Sequence, residues 1–267
     1  MTTAAPDDRP RILYSCYHSR SREGEQFVPE HIFSYQVTGT MLVNDGEQEF
    51  TNQPGDFHFM RRNRLLKFAK VPPENGGDFK SISIRFSQDM LRNFSLTHGY
   101  TANGSPFDGT ILKLESNPHF KAFISSLLPY LETDSPDPEL MEHKVTEALM
   151  LLLKTNPELK NTLFDFSEPG KIDLEAFMNR NFHFNVGLNR FAYLTGRSLA
   201  TFKRDFEKIF HTSPSKWLQQ RRLREAHYLI KQKGATPSTV YMDLGFEDLS
   251  HFSFAFKKMY GVAPSRV

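Results

Sequence analysis

The C-terminal third of the chain repeats itself. Residues 199–215 are LATFKRDFEKIFHTSPS and residues 249–265 are LSHFSFAFKKMYGVAPS, an offset of 50 residues. The identical pairs are Leu199/Leu249, Phe202/Phe252, Phe206/Phe256, Lys208/Lys258, Pro214/Pro264 and Ser215/Ser265. Because self-similarity at a fixed offset indicates a duplicated structural unit, we expect the same small fold twice.

Each copy predicts two helices joined by a turn that contains glycine. In the first copy, Gly196 ends the first helical pattern and Ser198 can cap the helix that follows. In the second copy, Gly245 and Asp248 stand at the corresponding positions. Spacings of three and four predict the buried faces, which are Leu199, Phe202, Phe206 and Ile209 in one copy and Leu249, Phe252, Phe256 and Met259 in the other. This is the helix-turn-helix unit, whose second helix can enter a DNA major groove.

A long helix is predicted between the two copies, from Pro214 to about Lys233, with Leu218, Leu223 and Ile230 on one stripe. At about 1.5 Å per residue it spans roughly 27 Å. Two recognition helices on one face of B-DNA lie about 34 Å apart. A connector of this length can approach that separation, so one chain can place both helices on the same face.

The two halves of the chain carry opposite net charges. Residues 171–267 hold 16 Lys+Arg and 8 Asp+Glu, a net charge of +8, whereas residues 1–170 have a net charge of −6. A basic C-terminal half is suited to phosphate contacts, and an acidic N-terminal half is not.

These residues resemble the DNA-binding domain of the AraC/XylS family of bacterial transcription regulators. The matching pattern is Ala192-x3-Gly196-x-Ser198-x3-Phe202-x-Arg204-x-Phe206, Arg222-Leu223-x2-Ala226-x2-Leu229, and Gly245-Phe246-x5-Phe252-x3-Phe256-Lys257-Lys258-x2-Gly261-x2-Pro264. The resemblance covers about 100 residues. It implies an all-α C-terminal domain with two helix-turn-helix units joined by a long helix, and double-stranded DNA and RNA polymerase as partners.

The resemblance assigns DNA contacts in the first unit to two groups of residues. The recognition face is Ser198, Ala200, Thr201, Lys203 and Arg204, and Arg197 and Lys208 are expected near the DNA backbone. Arg204 is the main candidate for a base contact, because an arginine can pair bidentately with guanine. A phosphate contact is the alternative.

In the second unit the predicted DNA-binding face is Ser250, His251, Ser253 and Phe254, followed by Lys257 and Lys258. Phe254 stands where many relatives carry arginine, so it can pack on thymine methyls or lie against the protein. We therefore expect the first unit to supply most of the specificity and Lys257 and Lys258 to position the second. Arg222 falls on the apolar stripe of the connector, which favours a structural role over DNA contact.

The N-terminal half predicts a small β-barrel. Short strand-like runs at 32–37, 40–43, 47–51, 56–60, 65–70 and 79–86 are separated by turn sequences. The family resemblance implies a cupin-like sensor barrel, in which Tyr35, His58 and Arg85 are candidate effector-binding residues. His31 and His58 stand alone without a His-x-His arrangement, so we expect no metal, no cofactor and no enzymatic activity.

Residues 117–132 and 138–154 predict two amphipathic helices, which can pack against the barrel or form a homodimer. These patterns give an α+β multidomain chain. The predicted divisions are a barrel over 1–115, a helical hairpin over 116–156, a linker over 157–170 and the DNA-binding domain over 171–267.

The sequence favours a cytoplasmic transcription regulator, with activation the more common role in the family. Cys16 is the single cysteine, and no apolar run approaches the roughly 20 residues that span a bilayer. Three interpretations of the N-terminal half remain open: it senses a small molecule, it is controlled by a protein partner, or it is a cupin enzyme fused to a DNA-binding tail.

Overall fold

The computed structural model describes residues 11–22, 26–131 and 137–267. Its N-terminal half is built from strands. Their bounds are β1 Ile12–Tyr17, β2 Phe27–Val28, β3 His31–Thr38, β4 Thr40–Asn44, β5 Glu49–Asn52, β6 Phe57–Met60, β7 Arg64–Leu65, β8 Lys67–Val71, β9 Phe79–Phe86 and β10 Ile111–Leu114.

The strands form one sheet in the order β1-β9-β3-β6-β10, a second in the order β5-β4-β8 and a pair β2-β7. All pairings are antiparallel, and β3 lies against β9 with Phe33 opposite Ile84 and Ser34 opposite Ser83. Because successive side chains alternate between faces, β9 turns Ile82, Ile84 and Phe86 to one side of the large sheet.

Both faces of the large sheet are covered. One face meets helices α1 Gln88–His98, α2 Pro118–Leu131 and α3 Pro138–Thr155 in a core that includes Phe33, Phe57 and Leu149. The other face meets the small sheets over Val43, Met60 and Phe79. The apolar stripes of α2 and α3 are therefore satisfied largely within the chain, although Leu128 and Leu140 remain exposed.

The segment expected to be a linker is partly folded. Residues Pro157–Leu159 form a 3-10 turn and Lys160–Leu163 form helix α4. Leu159, Leu163 and Phe164 are buried in the core of the N-terminal half. The prediction of a linker over 157–170 is wrong for its first part, because these apolar side chains pack against the sheet; the other domain boundaries stay proposals.

The C-terminal half is helical from Leu174 onward. Its helices are α5 Leu174–Asn181, α6 Leu188–Leu194, α7 Leu199–Phe210, α8 Pro214–Lys233, α9 Pro237–Asp243 and α10 Leu249–Tyr260. One apolar core joins them and includes Phe191, Phe202, Phe206, Phe252 and Phe256. The α+β fold class and the two helix-turn-helix units joined by a long helix are confirmed.

The two halves pack on each other. Phe27 and Leu65, from the β2-β7 pair, belong to the core of the C-terminal half. Asn63 Nδ2 donates to Tyr193 Oη at 3.3 Å, and Arg22 Nη1 lies 2.7 Å from Asp243 Oδ1. The β domain therefore contacts α6 of the first unit and α9 of the second.

The six strand-like runs of the sequence correspond to β3 through β9, with β7 and β8 sharing one run. Strands β1, β2 and β10 were not predicted. The short connection predicted between the two amphipathic helices falls mostly on residues 132–136, which lie outside the described residues. Within the described ranges, no helix combines the length and apolarity that crossing a bilayer requires.

Candidate nucleic-acid interface

The first helix-turn-helix unit consists of α6 and α7. Gly196 adopts φ +65° in the turn between them, the left-handed conformation that favours glycine. Ser198 caps α7, with its Oγ accepting from the Thr201 N–H at 3.2 Å. The sequence therefore fixes both the bend and the start of the recognition helix.

The outward face of α7 is polar and basic. Ala200, Lys203, Arg204 and Lys208 are exposed, and Thr201 is half-buried. The Arg204 side chain is 66% exposed, and its Nε lies 3.8 Å from Asp205 Oδ1. Arg204 is thus free to reach an external partner, as a base-contacting residue must be.

Arg197 does not lie on this face. Its side chain is only 8% exposed, with Nε donating to Asp205 Oδ2 at 3.1 Å and Nη1 donating to the carbonyls of Ile172 and Thr195. The Arg197 hydrogen bond is the main reason why the pKa of Asp205 is lowered. The expectation of a DNA-backbone contact is wrong for Arg197, because its guanidinium holds residue 172 against the turn.

The second unit consists of α9 and α10. Gly245 adopts φ +81° in the turn, and Asp248 Oδ1 accepts from the His251 N–H at 2.6 Å. On α10, Ser250, His251, Lys257 and Lys258 are exposed, and Ser253 is half-buried.

Phe254 projects from α10 with 69% of its surface exposed. Of the two placements left open for this side chain, packing against the protein is excluded. An exposed phenylalanine on a recognition helix is available for apolar contact with a thymine methyl.

The buried faces of the recognition helices are narrower than predicted. Phe202, Phe206, Phe252 and Phe256 are fully buried. Leu199, Ile209, Leu249 and Met259 are instead exposed over 40%, 39%, 40% and 40% of their surface. These four stand at the first turn and in the last turn of the two helices, where the facing core ends.

The connector α8 anchors each recognition helix through aromatic contacts. Near its start, Trp217 meets Phe206 and Phe210 at ring-centroid distances of 5.6 and 4.6 Å. Further along, His227 stacks on Tyr260 at 4.4 Å. The two anchors are ten residues apart, or about 15 Å along the helix axis, so one rigid helix fixes the spacing of the units.

Arg222 joins the segment between α5 and α6 to the turn of the second unit through backbone carbonyls. Its Nε and Nη2 donate to Phe182 O at 2.7 Å and Phe184 O at 2.8 Å, and its Nη1 donates to Gly245 O at 2.7 Å. Burial of the guanidinium lowers the pKa of Arg222 to about 10. The structural role that the sequence favoured for Arg222 is confirmed.

The structure does not bring the three candidate effector residues together. Tyr35 lies on the helix-covered face of the large sheet, 4.6 Å from the Phe57 ring. His58 and Arg85 are on the other face, since they lie opposite Ser34 and Ile32 of β3. Burial lowers the pKa of His58 to about 4, and Arg85 Nη1 lies 3.7 Å from Glu30 Oε2.

Three further groups of residues were not predicted from the sequence. Asp205 pairs with Arg197, Glu47 pairs with Arg180 at 2.8 Å, and the arginines of residues 61–64 line a cavity between the halves. Of these groups, only the arginines can be noticed in the sequence, as a run of like charges after a predicted strand. Among the described residues, no group of three or more His, Cys, Asp or Glu is placed to hold a metal ion.

Two family models match the chain. The ExsA N-terminal regulatory domain matches residues 31–162, and a helix-turn-helix domain matches residues 191–267. The second match begins within α6 and runs through α7, the connector α8, α9 and α10.

Curated relatives resemble the chain over most of its length. The HTH-type transcriptional regulator ExsA of Pseudomonas aeruginosa is 27% identical over 237 residues, 86% of this chain and 83% of that protein. The HTH-type transcriptional activator RhaS of Pectobacterium carotovorum is 26% identical over 251 residues, 91% of this chain and 88% of that protein. A solved structure of apo ToxT from Vibrio cholerae aligns over 97% of both chains with 10% identity and a TM-score of 0.48.

Proposed function

This chain belongs to the AraC/XylS family of bacterial transcription regulators, and we propose that it activates promoters by placing α7 and α10 in successive major grooves. It is a DNA-binding regulator and not an enzyme. The observation that carries the proposal is the exposed polar face of α7 around Arg204. Sequencing the duplexes that the purified protein retains from a random pool tests it, and a pool without enrichment contradicts it.

We further propose unequal roles for the two units. The first unit offers Arg204, whose guanidinium can form a bidentate pair with guanine. The second offers Phe254 and the adjacent Lys257 and Lys258, which suit apolar contact and phosphate attraction. Specificity would then reside mainly in α7, and α10 would set the register.

Replacing Arg204 with alanine is expected to weaken binding to the enriched sequence more than to random DNA. A lost bidentate base contact costs about 1–3 kcal/mol of discrimination, or roughly 5- to 150-fold in the ratio of the two Kd values. Titration of both duplexes at one salt concentration measures that ratio. Arg224→Ala, an exposed arginine of α8, removes the same charge as a control; equal losses on both duplexes for Arg204→Ala would make it a phosphate contact.

The double variant Lys257→Gln/Lys258→Gln is expected to reduce the salt dependence of binding. Each lysine that neutralises a phosphate contributes about 0.9 to the slope of log K against log salt, so the slope should fall by about 2. Titrations between about 50 and 200 mM salt measure it. Lys231→Gln/Lys233→Gln, exposed at the end of α8, is the matched control, and an unchanged slope in the first variant would exclude phosphate contacts there.

Control of DNA binding is proposed to enter through the N-terminal half. Val43, Met60 and Phe79 fill the space between the sheets, which favours an effector bound outside the sheets or a protein partner over a ligand enclosed by the strands. The exposed side chains Leu128, Leu140 and Met150 of α2 and α3 support a homodimer contact. We also propose that the protein contacts RNA polymerase and acts in the cytoplasm.

A further inference from the structure

The two recognition helices match position by position, so each residue of α7 has a counterpart 50 residues later in α10. Both helices have 12 residues, and each begins behind a capping side chain, Ser198 in α7 and Asp248 in α10. Each helix also buries two phenylalanines, four residues apart, on its inner face. Arg204 of α7 therefore corresponds to Phe254 of α10, and both side chains point away from the core of the C-terminal half.

The exposure of these two residues has a different cost in each case. The Arg204 side chain is 66% exposed, and Phe254 is 69% exposed. The guanidinium of Arg204 forms hydrogen bonds with water, whereas the phenyl ring of Phe254 has no group that does so. Removing apolar surface from water is favourable. A partner that covers Phe254 with an apolar group is therefore bound more tightly.

The surroundings of Phe254 on α10 favour DNA as that partner. The residues one turn to either side of it are polar or basic and exposed: Ser250, His251, Lys257 and Lys258. The sequence of α10, LSHFSFAFKKMY, contains no carboxylate. The phenyl ring is thus set in a surface that attracts phosphates, within the basic half of the chain.

Among the four standard bases, only thymine offers an apolar group on its major-groove edge. Guanine, adenine and cytosine present hydrogen-bond donors or acceptors there, and a phenyl ring that covers such a group leaves it without a partner. Thymine presents a C5-methyl group beside its O4 acceptor. Cytosine acquires a methyl group at the same atom when it is methylated at C5. Phe254 therefore fits a C5-methylated pyrimidine, either thymine or 5-methylcytosine.

We propose that Phe254 reads the C5-methyl group of one pyrimidine in the second half of the binding site, at the position where Arg204 reads a guanine in the first half. This inference rests on the proposed function and adds one specific contact to the positioning role of α10. Because α7 and α10 enter successive major grooves, the guanine and the methylated pyrimidine lie about one helical turn, or about 10 base pairs, apart. Binding then depends on base methylation as well as on base sequence.

The test measures the Kd of the full chain for the duplex enriched from the random pool. Thymines are replaced one at a time by deoxyuridine, which keeps the hydrogen-bonding groups and removes only the methyl group. One replacement, about 10 base pairs from the guanine that Arg204 contacts, is expected to weaken binding about fourfold, the effect of one CH₂-sized group returned to water. Phe254→Ala should bind the thymine and deoxyuridine duplexes equally.

A second arm distinguishes the two methylated bases. The same thymine·adenine pair is replaced by a cytosine·guanine pair that carries or lacks the C5-methyl group on cytosine. The methylated duplex is expected to bind about fourfold more tightly than the unmethylated one, and Phe254→Ala should abolish this difference. Equal binding of these two duplexes overturns the 5-methylcytosine part of the proposal.

Two control variants separate methyl reading from general effects on DNA binding. Tyr228→Ala removes another exposed aromatic ring, on the connector α8, and should leave each Kd within about twofold. Arg204→Ala should weaken binding to the thymine and deoxyuridine duplexes by the same factor. Equal binding of these duplexes by the original chain overturns the proposal. A preference for thymine that persists in Phe254→Ala also overturns it, because another side chain would then read the methyl group.

Phe254→Arg tests the same contact without depending on a loss of binding, because it copies the arginine of the first unit into the second. Selection from the random pool with this variant should replace the thymine·adenine pair by a guanine·cytosine pair at that position, since arginine pairs bidentately with guanine. Retention of thymine there contradicts the assignment of Phe254. If the original chain enriches no duplex, the proposed function itself fails. An enriched duplex without any deoxyuridine effect leaves that function standing and overturns only the reading by Phe254.

Discussion

Replacing Arg222 with methionine is expected to destabilise the C-terminal half by roughly 3–6 kcal/mol. The change removes all three donors that now serve Phe182 O, Phe184 O and Gly245 O. A buried acceptor left without a donor costs about 1–3 kcal/mol. Phe182 O and Gly245 O account for most of the loss, whereas Phe184 O keeps the Val186 N–H at 3.2 Å. Since a whole domain is stable by only about 5–15 kcal/mol, this is a large fraction.

Urea unfolding followed by circular dichroism measures the effect. Arg224→Met is the matched control, because Arg224 lies on the same helix and is exposed; we expect a change within about 0.5 kcal/mol. Arg222→Lys keeps the charge but not the planar fork, so its stability should fall between the two. A free energy of unfolding for Arg222→Met within about 1 kcal/mol of the original chain would show that water can replace the guanidinium.

The second large effect is expected for Gly196→Ala in the turn of the first helix-turn-helix unit. A Cβ at this position would lie 2.4 Å from Gly170 C, 2.5 Å from Gly170 O and 2.6 Å from Lys171 N. These are backbone atoms, so the 170–171 segment must move. Overpacking of this kind costs about 1–3 kcal/mol, and the left-handed conformation adds about 1–2 kcal/mol.

Gly234→Ala is a control with the same backbone conformation. Gly234 also adopts φ +65°, at the end of α8, and a Cβ there would meet nothing within 4 Å. The difference between the two melting temperatures therefore isolates the contact with residues 170–171. Equal shifts in melting temperature would mean that residues 170–171 move without loss of stability. That result would contradict the close packing at Gly196.

Gly196 and Arg222 show which features a sequence pattern can predict and which it cannot. The glycine turn and the serine cap were predictable at Gly196 and Ser198 because helix caps and turns depend on neighbouring residues. The structural role of Arg222 followed from its place on an apolar stripe. The carbonyls that it binds belong to residues 23 to 40 positions away, and no local pattern identifies them.

Sequence patterns mispredict the role of a residue where two distant segments meet. Arg197 was assigned to DNA, although its charge is engaged by Asp205 and its donors by the Ile172 and Thr195 carbonyls. Tyr35, His58 and Arg85 were grouped as pocket residues, although strand pairing places Tyr35 on the opposite face of the sheet. In both cases the residue type suggested a role, but the neighbouring residues that decide the role cannot be predicted from the sequence.

The sequence by itself determined the duplicated helix-turn-helix unit, the connector, the basic charge of the C-terminal half and most strands, because periodicity and capping act over a few residues. The tertiary structure alone decided that Phe27 and Leu65 join the core of the C-terminal half and that Arg22 pairs with Asp243 across the two halves. The physical reason is that such contacts join residues more than 100 positions apart, where complementarity of shape and charge leaves no repeating trace in the chain.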